Sequence, residues 1–493
     1  MAPVVERNRD ATAPHLRLNF IDGQWVAAES GQTRENVNPA DFSDVIGEFT
    51  ESGGVDVDHA VDAASAALAS WRGLGPIKRA VYLTEASRIL GERAEEIAAV
   101  ITREQGKLLG EARGEVERAR AILDFTAGQA RTLGGVTVPA EDDRTFSFTF
   151  RKAIGVVALI APWNFPFAIP MWKVAPALLS GCTAILKPSP LTPLTSALLV
   201  EVFEQAGVPS GVLNLIQGDV AAGEALVANP AVAGISFTGS LPVGTAIHAG
   251  GAHRLLRTQL ELGGKNAVIV CDDADVDKAV DAVVKGAFGQ AGQRCSATSR
   301  AVVDVSVRDE FLEKLIARLG ELKVGPGDDP ESKICPVVNT ARLDAALDAI
   351  AGAQREGGKV LCGGEREVRD DLPEGCYVQP TVVHTAWDSE LAQEEVFGPV
   401  LAVIDADGFD HAMEISNSVK YGMSGTIFTA SQSRAFEAIE RFEAGMLHVN
   451  RPGVGAYAHL PHVGSKASQY GPPECSPEVF DFYTEWHSAC ITY

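Results

Sequence analysis

The chain has 493 residues, 46% of them hydrophobic, with 48 Gly and 26 Pro, the composition of a globular protein of two or three domains with many turns. Its formal net charge of −23 speaks against nucleic acid and acidic membrane surfaces as partners. The eight Cys are scattered without a CxxC or a Cys/His metal spacing, so reduced thiols and no metal are expected.

Met1 to Arg17 is polar and carries Glu6, Arg7, Arg9 and Asp10, without the apolar core of a signal peptide. The longest apolar run, Ala153 to Ala161, is about half the length of a membrane span. A soluble, cytoplasmic protein is expected. Val55 to Trp71 and Ile77 to Gln105 repeat apolar residues every three or four positions and read as amphipathic helices, continued by Glu111 to Arg131. At Arg144 to Arg151 the period changes to strict alternation, the mark of a strand with one apolar face. Such a strand needs a partner, and the chain end, Val479 to Tyr493, can supply one from the same or another subunit.

From Ile154 onward short apolar runs recur: Ile154 to Ala161, Thr183 to Leu186, Val212 to Ile216 and Gly234 to Phe237. Each is followed by a turn and a helical segment, which predicts an α/β fold with a parallel, doubly wound sheet. Ligands of such sheets bind beyond the carboxyl ends of the strands. Three turns therefore stand out: Pro162 to Pro166, Lys187 to Pro190, and Phe237 to Gly244. The last places Gly239 and Gly244 at the opening of a helix, which suits a pyrophosphate as well as a plain tight turn. No GxxxxGK[ST] occurs, which argues against a P-loop NTPase.

A second alternation follows Gly263, with Ala267 to Val270, helix Val276 to Phe288, Ser299 to Val305, and helices Glu310 to Gly320 and Thr340 to Glu356. Gly325 to Pro330 and Asp370 to Gly375 are predicted as surface loops. A domain boundary at Leu262 to Gly264 would put Glu261 in an interdomain cleft, where catalytic groups gather. Gly292-Gln293-Arg294-Cys295-Ser296-Ala297 offers a thiol. Leu260 to Asn266 offers the Glu261 carboxylate on a glycine-flanked turn, 34 residues earlier. A lone Cys is more often an apolar filler than a nucleophile, so the pair needs support from the rest of the chain.

That support comes from a resemblance. Pro162-Trp163-Asn164-Phe165-Pro166, Lys187-Pro188-Ser189, Phe237-Thr238-Gly239-Ser240, Leu260 to Asn266, Gly292 to Cys295 and Glu394-Glu395-Val396-Phe397-Gly398-Pro399 follow one another in order. Together the sequence resembles the aldehyde dehydrogenase superfamily over nearly its whole length. Asn38 to Asp41, Ala161 to Lys173 and Gly292 to Arg300 resemble most the bacterial α-ketoglutaric semialdehyde dehydrogenases of sugar-acid catabolism.

The resemblance implies the aldehyde dehydrogenase fold in three parts. A Rossmann-like NAD(P)-binding domain would span 1–138 and 154–262, and an α/β catalytic domain 263–476. A small β oligomerisation flap, 139–153 and 477–493, would hold a homodimer or homotetramer. Cys295 would attack the aldehyde carbon, Asn164 and the Cys295 N–H would hold the oxyanion, and Glu261 would activate the water that hydrolyses the thioester. Lys187 would reach the adenosine ribose, Gly239, Ser240 and Gly244 the pyrophosphate, and Glu395 the nicotinamide ribose. Trp163, Leu262 and Phe397 would complete the cofactor side.

Pro190 stands where NAD-preferring relatives often carry a Glu that would repel a 2′-phosphate. With Lys187 and Ser189 nearby, NADP⁺ is expected to be accepted and preferred over NAD⁺. His462 stands where the family usually has a Phe lining the substrate tunnel. Arg294 and Arg451 are candidates for a substrate carboxylate, Phe165, Phe167 and Trp172 for apolar tunnel walls, and Ser296 for a further substrate contact. The leading expectation is NAD(P)-dependent oxidation of a small semialdehyde. The alternatives are an aromatic or general aldehyde dehydrogenase of the benzaldehyde or vanillin type, a cofactor-independent thiol hydrolase and a non-catalytic scaffold.

Overall fold

Runs such as Val156–Ile160 and the Ala184 to Leu186 centre of Thr183–Lys187 have no polar face to offer water, so they belong inside a sheet covered on both sides. A computed structural model describes residues 14–493 and buries every residue of both strands. The reading of the polar start concerns mainly residues outside those described. The two strands lie in an eight-stranded sheet ordered Gln24–Val26, Asn19–Ile21, Leu213–Leu215, Thr183–Lys187, Val156–Ile160, Val232–Thr238, Arg257–Glu261 and Gln469–Tyr470. Its five central strands are parallel. The chain leaves Val156–Ile160 toward Leu213–Leu215, then returns to Val232–Thr238 on the opposite side. That reversal makes a switch point, and the turns at 162, 187 and 239 follow strands at its carboxyl edge.

A second sheet runs Lys359–Cys362, Thr381–His384, Val400–Ala406, Thr298–Asp304, Asn266–Val270, Ser424–Phe428 and Met446–Val449. It is parallel except for the first pair. Only residues 262–265 separate Arg257–Glu261 of the first sheet from Asn266–Val270 of the second. Four residues span at most about 14 Å. The carboxyl edge of the first sheet is thereby held against the amino edge of the second.

Thr145–Ala153 pairs antiparallel with Thr484–Thr492 along its whole length, within one chain, and Thr137–Val138 lies on its other side. Phe146, Trp486 and Ile491 of this ribbon are each about half exposed, at 47%, 54% and 51%. No helix among the described residues is long and apolar enough to cross a membrane.

Three elements differ from expectation. The stretch Ile77 to Gln105 is two helices, Gly75–Glu92 and Ala94–Gln105, broken at Arg93, whose buried guanidinium pairs with Glu96 and Glu201. Glu261 ends a strand, not a turn: Arg257–Glu261 is rich in polar residues, yet Thr258 and Gln259 are buried on hydrogen bonds to His248 and the Pro472 and Pro473 carbonyls. The segment predicted as a surface loop at Gly325 to Pro330 buries Gly325 and Gly327. The Gly327 carbonyl accepts the Leu109 N–H at 2.8 Å.

Candidate active site

Cys295 sits between helix Val276–Phe288 and strand Thr298–Asp304. The chain reaches it through two left-handed non-glycine residues, Gln290 and Ala291, at φ 53° and 50°, each costing roughly 1–2 kcal/mol. Neighbouring bonds hold that shape. The Gln290 N–H donates to Glu111 Oε1 at 2.8 Å, and the Val338 N–H donates to Gln293 Oε1 at 2.9 Å. Beyond the turn, the Asn266 side-chain amide donates to the carbonyls of Cys295 and Ala297 at 2.7 and 2.8 Å. A side chain at position 264 would collide with the Cys295 carbonyl, which explains a glycine there. The thiol is pushed up to about 12 by burial first, then by the Glu261 and Glu395 carboxyls, while the N–H groups of Ser296 and Cys295 pull it down.

Asn164 follows the central strand Val156–Ile160 and donates from Nδ2 to the Gln293 carbonyl at 3.1 Å. Its own carbonyl accepts from Lys107 Nζ at 2.7 Å and from the Gln290 side chain. Lys107 in turn pairs with Glu115 at 2.6 Å, both side chains fully buried. The second Glu115 oxygen accepts the Phe167 and Ala168 N–H groups at 2.8 and 3.0 Å, so one buried pair orients both the Asn164 backbone and the helix that follows. Breaking such a pair from one side typically loses about 3–5 kcal/mol.

Glu261 ends strand Arg257–Glu261 with 1% of its surface exposed. Neither carboxyl oxygen has a hydrogen-bond partner among the described residues. Burial, then the neighbouring Glu474, holds its pKa well above the carboxylate range, with Lys173 partly offsetting. Lys173 itself bonds to Glu474 and to Ser236 Oγ.

On the other side, Ser240 N-caps helix Leu241–Gly251 from an exposed position without a side-chain capping bond. Its first N–H groups therefore remain available to an anion. Lys187 is buried, bonds to the Pro188 carbonyl at 3.1 Å, and is lowered to about 8 by burial, with Asp219 and Glu51 opposing that shift. Ser189 and Pro190 follow it, half-buried. Glu395 accepts the Gly264 N–H at 2.9 Å and is pushed by burial to about 7. Phe397, at φ 58°, meets Trp163 edge-on with centroids 5.3 Å apart, and Leu262 packs against Gly244. A helix N-terminus, a buried ammonium and an aromatic pair beyond the carboxyl edge of a doubly wound sheet fit a dinucleotide.

The substrate candidates divide. Phe167 has no exposed surface and packs in the core under its helix, so it is no tunnel wall. Phe165 is half-buried with Lys107 Nζ 4.3 Å from its ring centre, and Trp172 stacks at a tilt on His462, 5.1 Å between centroids. Ser296 is buried, and its backbone N–H favours the Cys295 thiolate. Arg294 pairs with Glu111 at 2.8 Å, and exposed Arg451 donates to the Tyr457 hydroxyl at 2.7 Å. Both line a cleft of about 340 Å³ with Lys285 and Glu111.

The profile of the aldehyde dehydrogenase family matches residues 25–489. The chain belongs to that family. It is 40% identical over 475 residues, 96% of this chain and 97% of its relative, to an α-ketoglutaric semialdehyde dehydrogenase of Bacillus subtilis. Among solved structures it resembles an NADP-dependent enzyme of E. coli, 33% identical, covering 97% of this chain and 98% of that one with a TM-score of 0.93. A betaine aldehyde dehydrogenase of Staphylococcus aureus in complex with NAD⁺ is 31% identical, covers 98% and 97%, and has a TM-score of 0.94. This aldehyde dehydrogenase is thus an NAD(P)-using oxidoreductase. The sequence reading missed the residues that hold its site in shape. Gln293, Asn266 and Lys173 stood inside the quoted motifs, but Lys107, Glu115 and Glu474 carried no signal of spacing.

Proposed function

We propose that this aldehyde dehydrogenase oxidises α-ketoglutaric semialdehyde, with Cys295 as nucleophile, Asn164 as oxyanion donor and Glu261 as the base for hydrolysis. The observation that carries the substrate reading is the cleft lined by three cations, Arg294, Arg451 and Lys285, with a single carboxylate, Glu111, which Arg294 already pairs. A substrate with a terminal carboxylate is attracted to such a site, whereas benzaldehyde gains nothing from it. Likeness to the Bacillus subtilis relative supports the same reading.

Attack by the sulfur gives a thiohemiacetal alkoxide. The Asn164 amide has a second N–H besides the one given to Gln293, and with the Cys295 N–H it makes two donors for that charge. The bound dinucleotide supplies the hydride acceptor, and Lys187, the Ser240 helix end and Glu395 are the residues that would hold it. The resulting thioester is hydrolysed by water that Glu261 deprotonates once its own carboxyl is ionised. Pro190 puts no carboxylate beside Lys187, which supports acceptance of NADP⁺ and preference for it.

The domain limits implied by resemblance, 1–138 with 154–262, 263–476, and the 139–153 with 477–493 flap, remain part of this reading. The half-exposed Phe146, Trp486 and Ile491 support a homodimer or homotetramer closing over the flap, and a stable monomer in light scattering would refute that. Eight free thiols support a cytoplasmic location. The decisive experiment measures reduced-cofactor formation from α-ketoglutaric semialdehyde and from benzaldehyde, each with NADP⁺ and NAD⁺. A far higher kcat/KM for the keto acid is expected; a higher value for benzaldehyde sinks the substrate assignment.

A further inference from the structure

His462 lies 167 residues from Cys295 in sequence, yet its Nε2 is 3.9 Å from the Cys295 sulfur. The ring is not free to turn. Its backbone exchanges two hydrogen bonds with Glu474, at 2.8 and 3.2 Å, and Trp172 covers its face. Its other nitrogen, Nδ1, is buried and has no hydrogen-bond partner among the described residues. A neutral imidazole carries one N–H, and a buried N–H without an acceptor is rarer in proteins than a buried acceptor without a donor. The proton therefore belongs on Nε2, facing the sulfur.

We propose that His462 is a catalytic residue that donates a hydrogen bond from Nε2 to the Cys295 sulfur and so stabilises the thiolate as an uncharged partner. The inference rests on Cys295 being the nucleophile. It answers an electrostatic problem, since the side chains that bear most on the sulfur are the Glu261 and Glu395 carboxyls, and both oppose its ionisation. His462 cannot serve as a resident cation: burial, then Arg118 and Lys173, holds its pKa at about 4. Nε2–H is thus a side-chain donor within reach of the sulfur, acting in the same direction as the neighbouring Ser296 backbone, which also favours the thiolate. A donor to sulfur favours the thiolate over the thiol, because the anion is the stronger acceptor.

The test uses the enzyme without substrate and reads the thiol directly. Iodoacetamide alkylation of Cys295 is followed by peptide mass spectrometry from pH 6 to 10 in wild type, H462F and H462Q. Glu261, Glu395 and Glu474, with Lys173 and Arg118, are present in all three, so their titration is common to the series. H462F is expected to alkylate about tenfold more slowly near neutral pH, the value of one hydrogen bond, with its pH midpoint displaced upward. H462Q keeps an N–H donor and recovers most of the rate. Equal or faster alkylation of H462F overturns the proposal, and so does an H462Q as slow as H462F. Should H462F not melt cooperatively, H462L provides the same loss of donor. Turnover by C295S tests the nucleophile itself: activity surviving in C295S sinks that reading, whereas unaltered alkylation in H462F sinks only the role of the histidine.

Discussion

Replacing Glu261 by Gln separates chemistry from stability, because the amide keeps the shape of the acid but has no proton to lose. The carboxyl is 1% exposed, unpartnered among the described residues and held well above its ordinary value of 4.5 by burial and Glu474. A group whose folded pKa is raised binds its proton more tightly in the native state than in the unfolded chain. Wild-type stability therefore declines as pH climbs from the unfolded value toward the folded one, by about 1.4 kcal/mol for each pKa unit of difference. E261Q lacks this term and should gain on wild type as pH rises from 5 to 8 in urea or thermal melts. Its kinetics should show the opposite consequence. Acylation by Cys295 proceeds, so stopped-flow mixing should give a burst of reduced cofactor near one equivalent per active site. The steady rate then falls about 10²–10⁴-fold, the usual worth of a general base, or ~2.7–5.5 kcal/mol of barrier. A steady rate equal to wild type would remove Glu261 from hydrolysis. A stability difference independent of pH would refute the elevated pKa.

Asn164→Ala removes a side-chain oxyanion donor and should lower kcat about 10²–10³-fold, with circular dichroism unchanged; a loss confined to KM would contradict the assignment. Pro190→Glu places a carboxylate where a 2′-phosphate would lie and should turn the NADP⁺/NAD⁺ ratio of kcat/KM toward NAD⁺ by about tenfold or more. An unaltered ratio would place the phosphate elsewhere. Arg451→Ala, at an exposed position, should raise KM for α-ketoglutaric semialdehyde by about fivefold, in keeping with the modest energy of exposed ion pairs, and leave benzaldehyde unaffected. Equal effects on both aldehydes would mean that Arg451 does not read the carboxylate.

What could be read from the chain follows from how each element announces itself. Val156–Ile160 is apolar throughout and Thr183–Lys187 is apolar at its centre, and helix Val276–Phe288 alternates its faces cleanly, so local pattern and tertiary environment agree. Arg257–Glu261 carries no strand pattern because three of its four buried positions are Thr, Gln and Glu, and the burial of Gln259 is made tolerable by carbonyls more than 200 positions away at Pro472 and Pro473. The break at Arg93 has no proline to mark it and is held by an ion pair with distant Glu201. At the site, Cys295 and Glu261 stand out as a thiol and a carboxylate on glycine-flanked runs, and resemblance to motifs supplies their roles and adds Asn164. The Lys107–Glu115 pair beneath Asn164 does not stand out, since burial of a charge appears in no one-dimensional pattern. Arg294 was considered for a substrate carboxylate, and its partner Glu111 comes from a helix far earlier in the chain. Phe167 looked like Phe165 in sequence, but only the fold distinguishes a core ring from one near the surface.

The short link at residues 262–265 has a consequence for how activity arises. Glu261 is the last residue of one sheet, while Cys295 precedes a strand of the other. Neither sheet alone contains both the proposed nucleophile and the proposed base, however well it folds. The first sheet is itself closed at Glu261 by Gln469–Tyr470, a strand from near the chain end, so a partly assembled chain has no competent centre with which to trap cellular aldehydes. Competence is therefore a property of docking, and loosening the two sheets should silence the enzyme while its helices and strands are still intact.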